Sequence, residues 1–323
     1  CWRMDERGDR GGETEDEEGT VMDRKTTPDV VVVGSVAFDS VQTPKAAHEK
    51  LLGGSASYTS VASALFARTG VVGVVGEDFP QDYFDIFDRA GVDVQGLQRE
   101  KGKTFHWSGV YEDNMNNRRT NCTDLNVFAD FNPVIPEAYR TSPFLCLENI
   151  APALQAHVLD QMQKPKFTVL DTMDLWINTT REDLMNVIAR VDMLTVNEHE
   201  ARHLTGKGSL LKAAKKILDM GPTYALIKKG EHGAFLMSKD DILIVPAWPL
   251  VEVVDPTGAG DTFAGGLIGT LAALGEVTRD NLHRALVNGT VTAAYTCEAF
   301  SVDGLRHITR AQLDERAEAF RRM

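Results

Sequence analysis

The residues best placed to do chemistry are Asp255-Pro256-Thr257-Gly258-Ala259-Gly260-Asp261, standing between the extended segments 242–245 and 251–254 and the apolar run 267–274. Three consecutive small residues at a helix start leave backbone N–H groups uncovered where the macrodipole adds its positive end. Gly258, Ala259 and Gly260 therefore predict a pocket for a phosphate or a developing phosphoryl charge. Asp261 has two readings. A carboxylate in a first helical turn is favourable as a cap. Beside an anion site it repels the ligand unless it has another task, and the evident one is to accept the proton of an attacking hydroxyl.

The elements that must position this stretch follow a regular rhythm. Val30-Val31-Val32-Val33-Gly34 is a continuous β-branched run ending in glycine, the pattern of a buried parallel strand, and Asp39 lies just beyond it. Gly53 and Gly54 open a second small-residue helix, where a double glycine permits either close approach to a ligand or tight helix packing. Residues 71–78 form another buried strand, and 81–91 an amphipathic helix closed by Gly91. The glycines at 70, 73 and 76 are spaced GxxGxxG, which is not the dinucleotide fingerprint. Strands at 144–147, 167–170, 193–196 and 224–227 then alternate with helices. Each strand ends in polar residues: Glu148, Asp171, Asn197 with Glu200, and Lys228 with Gly230 and Gly233. That alternation predicts an α/β fold with a doubly wound, mostly parallel central sheet and its crevice along the carboxyl edge. Residues 103–126 break the rhythm. Their period-two pattern, with Phe105, Trp107 and Gly109 on one face, predicts an inserted antiparallel flap.

Composition bounds the rest. A chain of 323 residues with 43% apolar content can bury a large core, and its net charge of −13 argues against a nucleic-acid surface or an anionic membrane as partner. Residues 1–29 hold ten acids and five bases, so the rest of the chain carries −8. Residues 1–28 are too polar and acidic to offset ordering entropy by burial and are expected to be a disordered tail. Four scattered cysteines without a CxxC suggest neither a zinc site nor a disulfide framework, and with no apolar run of 18 residues the expectation is a cytoplasmic protein.

The residues resemble the ribokinase-like, PfkB-type family of carbohydrate and nucleoside kinases from Val30 to about Leu313. The most specific match is DPTGAGDTFAGG, residues 255–266. Gly34 with Asp39, Gly53-Gly54, Gly76-Glu77-Asp78, Gly91-Val92-Asp93, the Asn-x-x-Glu of Asn197 and Glu200, and Lys228-x-Gly230-x-x-Gly233 support it in order. The resemblance implies a ribokinase-like domain over 29–323, with lid segments around 37–55 and 103–128. It implies ATP-dependent phosphoryl transfer to a hydroxyl, with Asp261 as base and the 258–260 backbone as anion hole. Asn197 and Glu200 would lie near Mg2+, largely through water. Lys228, Gly230, Gly233, Thr257 and Cys297 would flank the nucleotide, and a monovalent cation near Asp255 and Thr257 stays open. Asp39, Gly53, Gly54 and Glu148 would hold the acceptor, a sugar, polyol or nucleoside. Tyr58 stands where many relatives carry asparagine, and its ring could stack on a base or sugar face, which leaves the acceptor undecided. Two alternatives remain at this stage: a catalytically silent binding member, and a kinase using another donor such as ADP. An exposed lid strand is also an edge on which a homodimer could form.

Overall fold

The computed structural model describes residues 27–323, so all but the last two residues of the acidic tail lie outside the described residues. The strands are β1 (Val30–Val33), β2 (Ala37–Gln42), β3 (Ala47–Gly53), β4 (Thr69–Gly76), β5 (Val92–Glu100), β6 (Phe105–Tyr111) and β7 (Arg118–Asp124). They continue with β8 (Phe144–Leu147), β9 (Phe167–Asp171), β10 (Met193–Asn197), β11 (Tyr224–Lys228), β12 (Ala234–Met237) and β13 (Ile242–Val245).

Nine of these build one sheet in the order β13-β12-β11-β10-β9-β8-β1-β4-β5. From β11 to β5 every pairing is parallel; β12 alone runs the other way, and β13, antiparallel to β12, points with the rest. The continuous apolar runs explain this sheet, because each strand buries both faces. Val30 and Val32 enter the core beneath helices Ser55–Ala64, Ala259–Leu274 and Arg279–Cys297, while Val31 and Val33 enter a second core on the opposite face. The chain leaves β1 for β4 and β5 and then returns to the other side at β8, so the strand order reverses beside β1. In open α/β sheets that switch point opens a crevice at the strand carboxyl ends.

Segments 37–55 and 103–128 contribute β2, β3, β6 and β7 to a separate sheet of order β3-β2-β6-β7. It consists of two antiparallel hairpins, β2–β3 and β6–β7, joined through a parallel pairing of β2 with β6. Residues 251–254, expected to be extended, form no strand. They cross the surface in a loop held by the Val254 N–H bonded to the Cys297 carbonyl oxygen at 2.8 Å and by Glu252 Oε2 accepting from Lys45 Nζ at 3.0 Å. The β-branched composition there misled because Val251 is fully exposed and buries nothing against a sheet.

Helix Ala259–Leu274 packs lengthwise on helix Ser55–Ala64, which is why both are rich in Gly, Ala and Ser. A Cβ added at Gly265 would overlap the Thr59 carbonyl oxygen, and one at Gly269 would lie 2.7 Å from the Ser63 carbonyl oxygen. This contact holds the amino end of Ala259–Leu274 in the crevice. We expect Gly265→Val to separate the two helices at a cost of about 1–3 kcal/mol or more, measured as a lower denaturation midpoint; an unchanged midpoint would refute this account of the packing.

Candidate active site

The carboxyl ends of β8, β9, β10 and β11 bring Glu148, Asp171, Asn197 and Lys228 to one edge, and the first turn of helix Ala259–Leu274 meets them there. Gly258 is the N-cap of that helix at φ 75°, a left-handed conformation that glycine adopts without steric cost. A Cβ at Gly258 would also overlap the Tyr58 ring, so turn and packing demand glycine together. The Ala259 N–H is taken by the Pro256 carbonyl oxygen at 3.2 Å. Of the three small residues, Gly258 and Gly260 keep amides with no backbone partner among the described residues.

Asp261 does not act as a cap. The N-cap has no side chain, and no hydrogen bond supports the Asp261 carboxylate among the described residues. Its oxygens face those of Glu148 and Asp171, all three groups offering ligand atoms within 4.8 Å of one another. Burial first, and then the Asp171 charge, raise the Asp261 carboxyl to about 6, against the lowering pull of Lys228 and Arg118. The Lys228 ammonium is 3.2 Å from Asp171 Oδ1 and 3.1 Å from where a Cβ of Gly260 would stand. Burial alone would lower its pKa, but the carboxylates of Asp171, Asp261, Glu200 and Glu148 outweigh that and hold it above its usual range. Lys228 therefore stays charged beside the helix amides.

Glu148 lies beneath this group, fully buried. Its Oε1 accepts from Thr59 Oγ1 at 2.7 Å and from Cys146 Sγ at 3.2 Å, while Oε2 has no partner. Burial, then Asp261 and Asp171, push its carboxyl well above the ordinary range, favouring the neutral acid. Asn197 and Glu200 form a reciprocal capping box. Asn197 Oδ1 accepts from the Glu200 N–H at 2.9 Å, and Glu200 Oε2 accepts from the Asn197 N–H at 2.8 Å. Burial and then the Asp171 charge raise Glu200 to about 7. A carboxylate crowded by another carboxylate and already held in orientation is a suitable oxygen donor for a hard divalent cation.

Under the lid, Asp39 of β2 is raised to about 7 by burial and then by Asp255. Gly53 has no Cβ because the Asp39 carboxylate occupies that space, and Gly54, at φ 89°, sits against the Ser35 carbonyl oxygen. The double glycine thus seats Asp39 as well as packing the helix start. Trp107 pairs in register with Asp39, and Tyr111 follows on the same face of β6, its Oη accepting from Thr257 Oγ1 at 3.2 Å. Arg118 of β7 lies over the Trp107 ring at 5.3 Å. On the other side of the Gly258–Gly260 turn opens a cleft of about 460 Å³, lined by Lys228, Gly230, Gly233, Trp248, Phe263 and Cys297 among others. A larger depression of about 1350 Å³ lies elsewhere, between helix Leu210–Leu218 and the chain around Tyr224, at the amino end of β11 and away from these groups.

Comparison with known proteins places this geometry. The profile of the pfkB family carbohydrate kinases matches residues 27–305. The chain belongs to the pfkB family. Within it, a cytidine kinase of Thermococcus kodakarensis is 29% identical over 266 residues, covering 80% of this chain and 94% of that protein. Among solved structures, a nucleoside kinase of Methanocaldococcus jannaschii superposes with a TM-score of 0.73 at 19% identity, covering 91% of this chain and 99% of the other. An E. coli ribokinase-type protein in complex with ATP and Mg2+ gives 0.74 at 18%, with the same coverages. The fold is that of the ribokinases, and the chain is a PfkB-type carbohydrate or nucleoside kinase, a phosphotransferase with an alcohol group as acceptor.

Three of the expected site residues have surroundings that the residues alone did not indicate. Glu148, expected at the acceptor, is fully buried and held by Thr59 and Cys146, with its second oxygen unpartnered beside Asp261 and Asp171. The Tyr58 ring, expected to be free for stacking, is 1% exposed and lies against Gly258, forming the wall of the pocket. Thr257, expected at the nucleotide, donates from its side chain to Tyr111 Oη of the lid. Lys228, Gly230, Gly233 and Cys297 do meet in one cleft, with Ala259 and Gly260 at its end. Asp171 was legible only as a strand-end acid and Trp107 only as one member of an alternating face; neither signal says that the residue reaches the site. No described helix is long and apolar enough to cross a membrane.

The crowding has a pH signature. Asp261 has a folded value of about 6, raised from 3.8, so it costs stability once pH exceeds the lower value, and the cost is complete above the higher one. Asp261→Asn is accordingly expected to melt at a higher temperature than the parent at pH 8 and to lose that advantage at pH 4. Equal melting temperatures at pH 8 would contradict it.

Proposed function

We propose that this chain is an ATP-dependent nucleoside kinase, transferring the γ-phosphoryl group of ATP to the hydroxymethyl group of a nucleoside. The observation that carries the transfer step is the unpartnered Asp261 carboxylate beside the Gly258 and Gly260 amides and the Lys228 ammonium. The acceptor hydroxyl oxygen attacks the γ-phosphorus, its proton passes to Asp261, and the bond from phosphorus to the bridging oxygen breaks to release ADP. Charge spreading over the transferred group in that transition state is met by fixed N–H dipoles and by the ammonium, which need little reorganisation. Glu148, neutral below Asp261, keeps a second negative charge away from the base.

The nucleotide fits the cleft lined by Trp248, Phe263 and Cys297, whose apolar walls suit a base, with its phosphates running toward Gly260 and Lys228. Asn197 and Glu200 would hold Mg2+, chiefly through water. Bound there, the ion supplies charge neutralisation on the phosphates. On the acceptor side, Asp39 suits the ribose hydroxyls, and Trp107 on the inner face of the lid suits a nucleobase ring. The likeness to a cytidine kinase over 94% of that protein's length supports a nucleoside over a free sugar.

Three measurements test this reading. In a panel of nucleosides and sugars with ATP and Mg2+, turnover should be greatest with a nucleoside and should fall by at least 10³-fold in Asp261→Asn, as expected for a missing catalytic base; a variant with full activity would remove Asp261 from the chemistry. Trp107→Ala should raise KM for the nucleoside by roughly 5- to 150-fold, the range of one lost base–aromatic stack, and leave kcat and the parameters for free ribose nearly unchanged. An equal effect on ribose would point to a sugar kinase. Because the base works deprotonated, kcat/KM should fall as pH drops below about 6. Lys228→Met, which withdraws the charge that lowers Asp261, should move that limb upward and reduce kcat by roughly 10²–10³.

A further inference from the structure

The outer face of the lid carries a group of side chains that phosphoryl transfer does not use. In the β6–β7 hairpin His106 stands opposite Asp124, and Cys122 stands opposite Ser108, one step along the same face. This is the face turned away from Trp107 and Asp39. His106 Nδ1 is 3.6 Å from Asp124 Oδ2 and 4.0 Å from Cys122 Sγ, and the three groups offer ligand atoms within 4.8 Å of one another.

We propose that His106, Cys122 and Asp124 form a binding site for a borderline-soft divalent cation, Zn2+ above all, at the root of the lid. A tetrahedral zinc with bonds of about 2.0–2.1 Å to N and O and about 2.3 Å to S spaces its ligand atoms roughly 3.3–3.6 Å apart. The two separations from His106 Nδ1 lie within about half an ångström of that, Cys122 and Asp124 offer their ligand atoms within 4.8 Å of each other, and χ rotation of the exposed Asp124 side chain can draw the set together. Thiolate, imidazole and carboxylate together select zinc over the magnesium of kinase chemistry, which takes oxygen ligands. The imidazole is already oriented: Nε2 lies 2.9 Å from Ser40 Oγ of β2, which also accepts from the Lys50 N–H at 3.1 Å. With Nε2–H donating to Ser40, the Nδ1 lone pair is left for the metal, the second partner that metal-binding histidines ordinarily have. Three protein ligands leave a fourth position for water, and Asp124, with 60% of its side chain exposed, keeps the site reachable. His106 and Asp124 are where the hairpin leaves and rejoins the main domain, so an ion there ties together the two strands on which the lid hangs.

The test is titration of the full chain, stripped with chelator, with Co2+ and then Zn2+. Thiolate ligation should give an intense thiolate-to-cobalt charge-transfer absorption that Zn2+ removes, and Zn2+ should raise the melting temperature. Cys122→Ser should lose the charge-transfer band, and His106→Gln and Asp124→Asn should each weaken zinc binding at least tenfold, with far-ultraviolet circular dichroism verifying that the variants fold. His199→Ala serves as control, because the histidine pair His199 and His203 beside Asp174 contains no sulfur and cannot produce the band. Absence of the band in the parent, or its persistence in Cys122→Ser, would overturn the proposal.

Discussion

One ammonium group governs the electrostatics of the catalytic edge. Lys228 Nζ, at the end of β11, faces carboxylates that arrive from β8, β9 and helix Ala259–Leu274, with Glu200 close behind. Without it, Glu148, Asp171 and Asp261 would lie within a few ångströms of one another with only the weaker pull of Arg118 on Asp261 to offset them, and a low-dielectric site does not hold three like charges. The group divides instead. Asp171 takes the lysine, Glu148 is driven toward its neutral form, and Asp261 is left between them with a raised carboxyl. That division suits Asp261 to the base role proposed for it, and it depends on strand order, since the contributing strands β8, β9 and β11 are far apart in the chain.

The second constraint is steric, and it joins the lid to the anion pocket. Gly258 must be glycine both to start its helix in the left-handed region and to make room for the Tyr58 ring. Tyr58 belongs to the helix that Gly53 and Gly54 open, and those glycines in turn seat Asp39. Thr257, one residue before the pocket, meets Tyr111 of the lid. The acceptor side and the anion side therefore share walls, so substitutions at Gly53, Tyr58 or Gly258 are coupled through direct contact and should not add independently.

Much of this was legible in the residues. The continuous β-branched runs determined a parallel sheet because only a strand buried on both faces tolerates them, and the glycine turn before an apolar helix determined a helix start whose Gly258 and Gly260 amides keep no backbone partner among the described residues. The Asn-x-x-Glu spacing determined its capping box, since three residues is the reach of that reciprocal pair. The family motif from 255 to 266 identified the class of reaction.

What the sequence left undecided depends on packing between elements distant in the chain. No local pattern separates a cap from a base at Asp261; in the fold its carboxylate makes no capping bond and has Glu148, Asp171 and Lys228 around it. Nor could spacing reveal that Tyr58 is buried against Gly258, 200 positions later, or that Glu148 lies beneath the pocket rather than inside it. Residues 251–254 read as a strand by composition, but the fold leaves Val251 fully exposed and the segment a loop. Local geometry and periodicity are properties of a segment and are written in its residues. Burial, charge and accessibility are properties of what the folded chain brings alongside, and only the tertiary structure decides them.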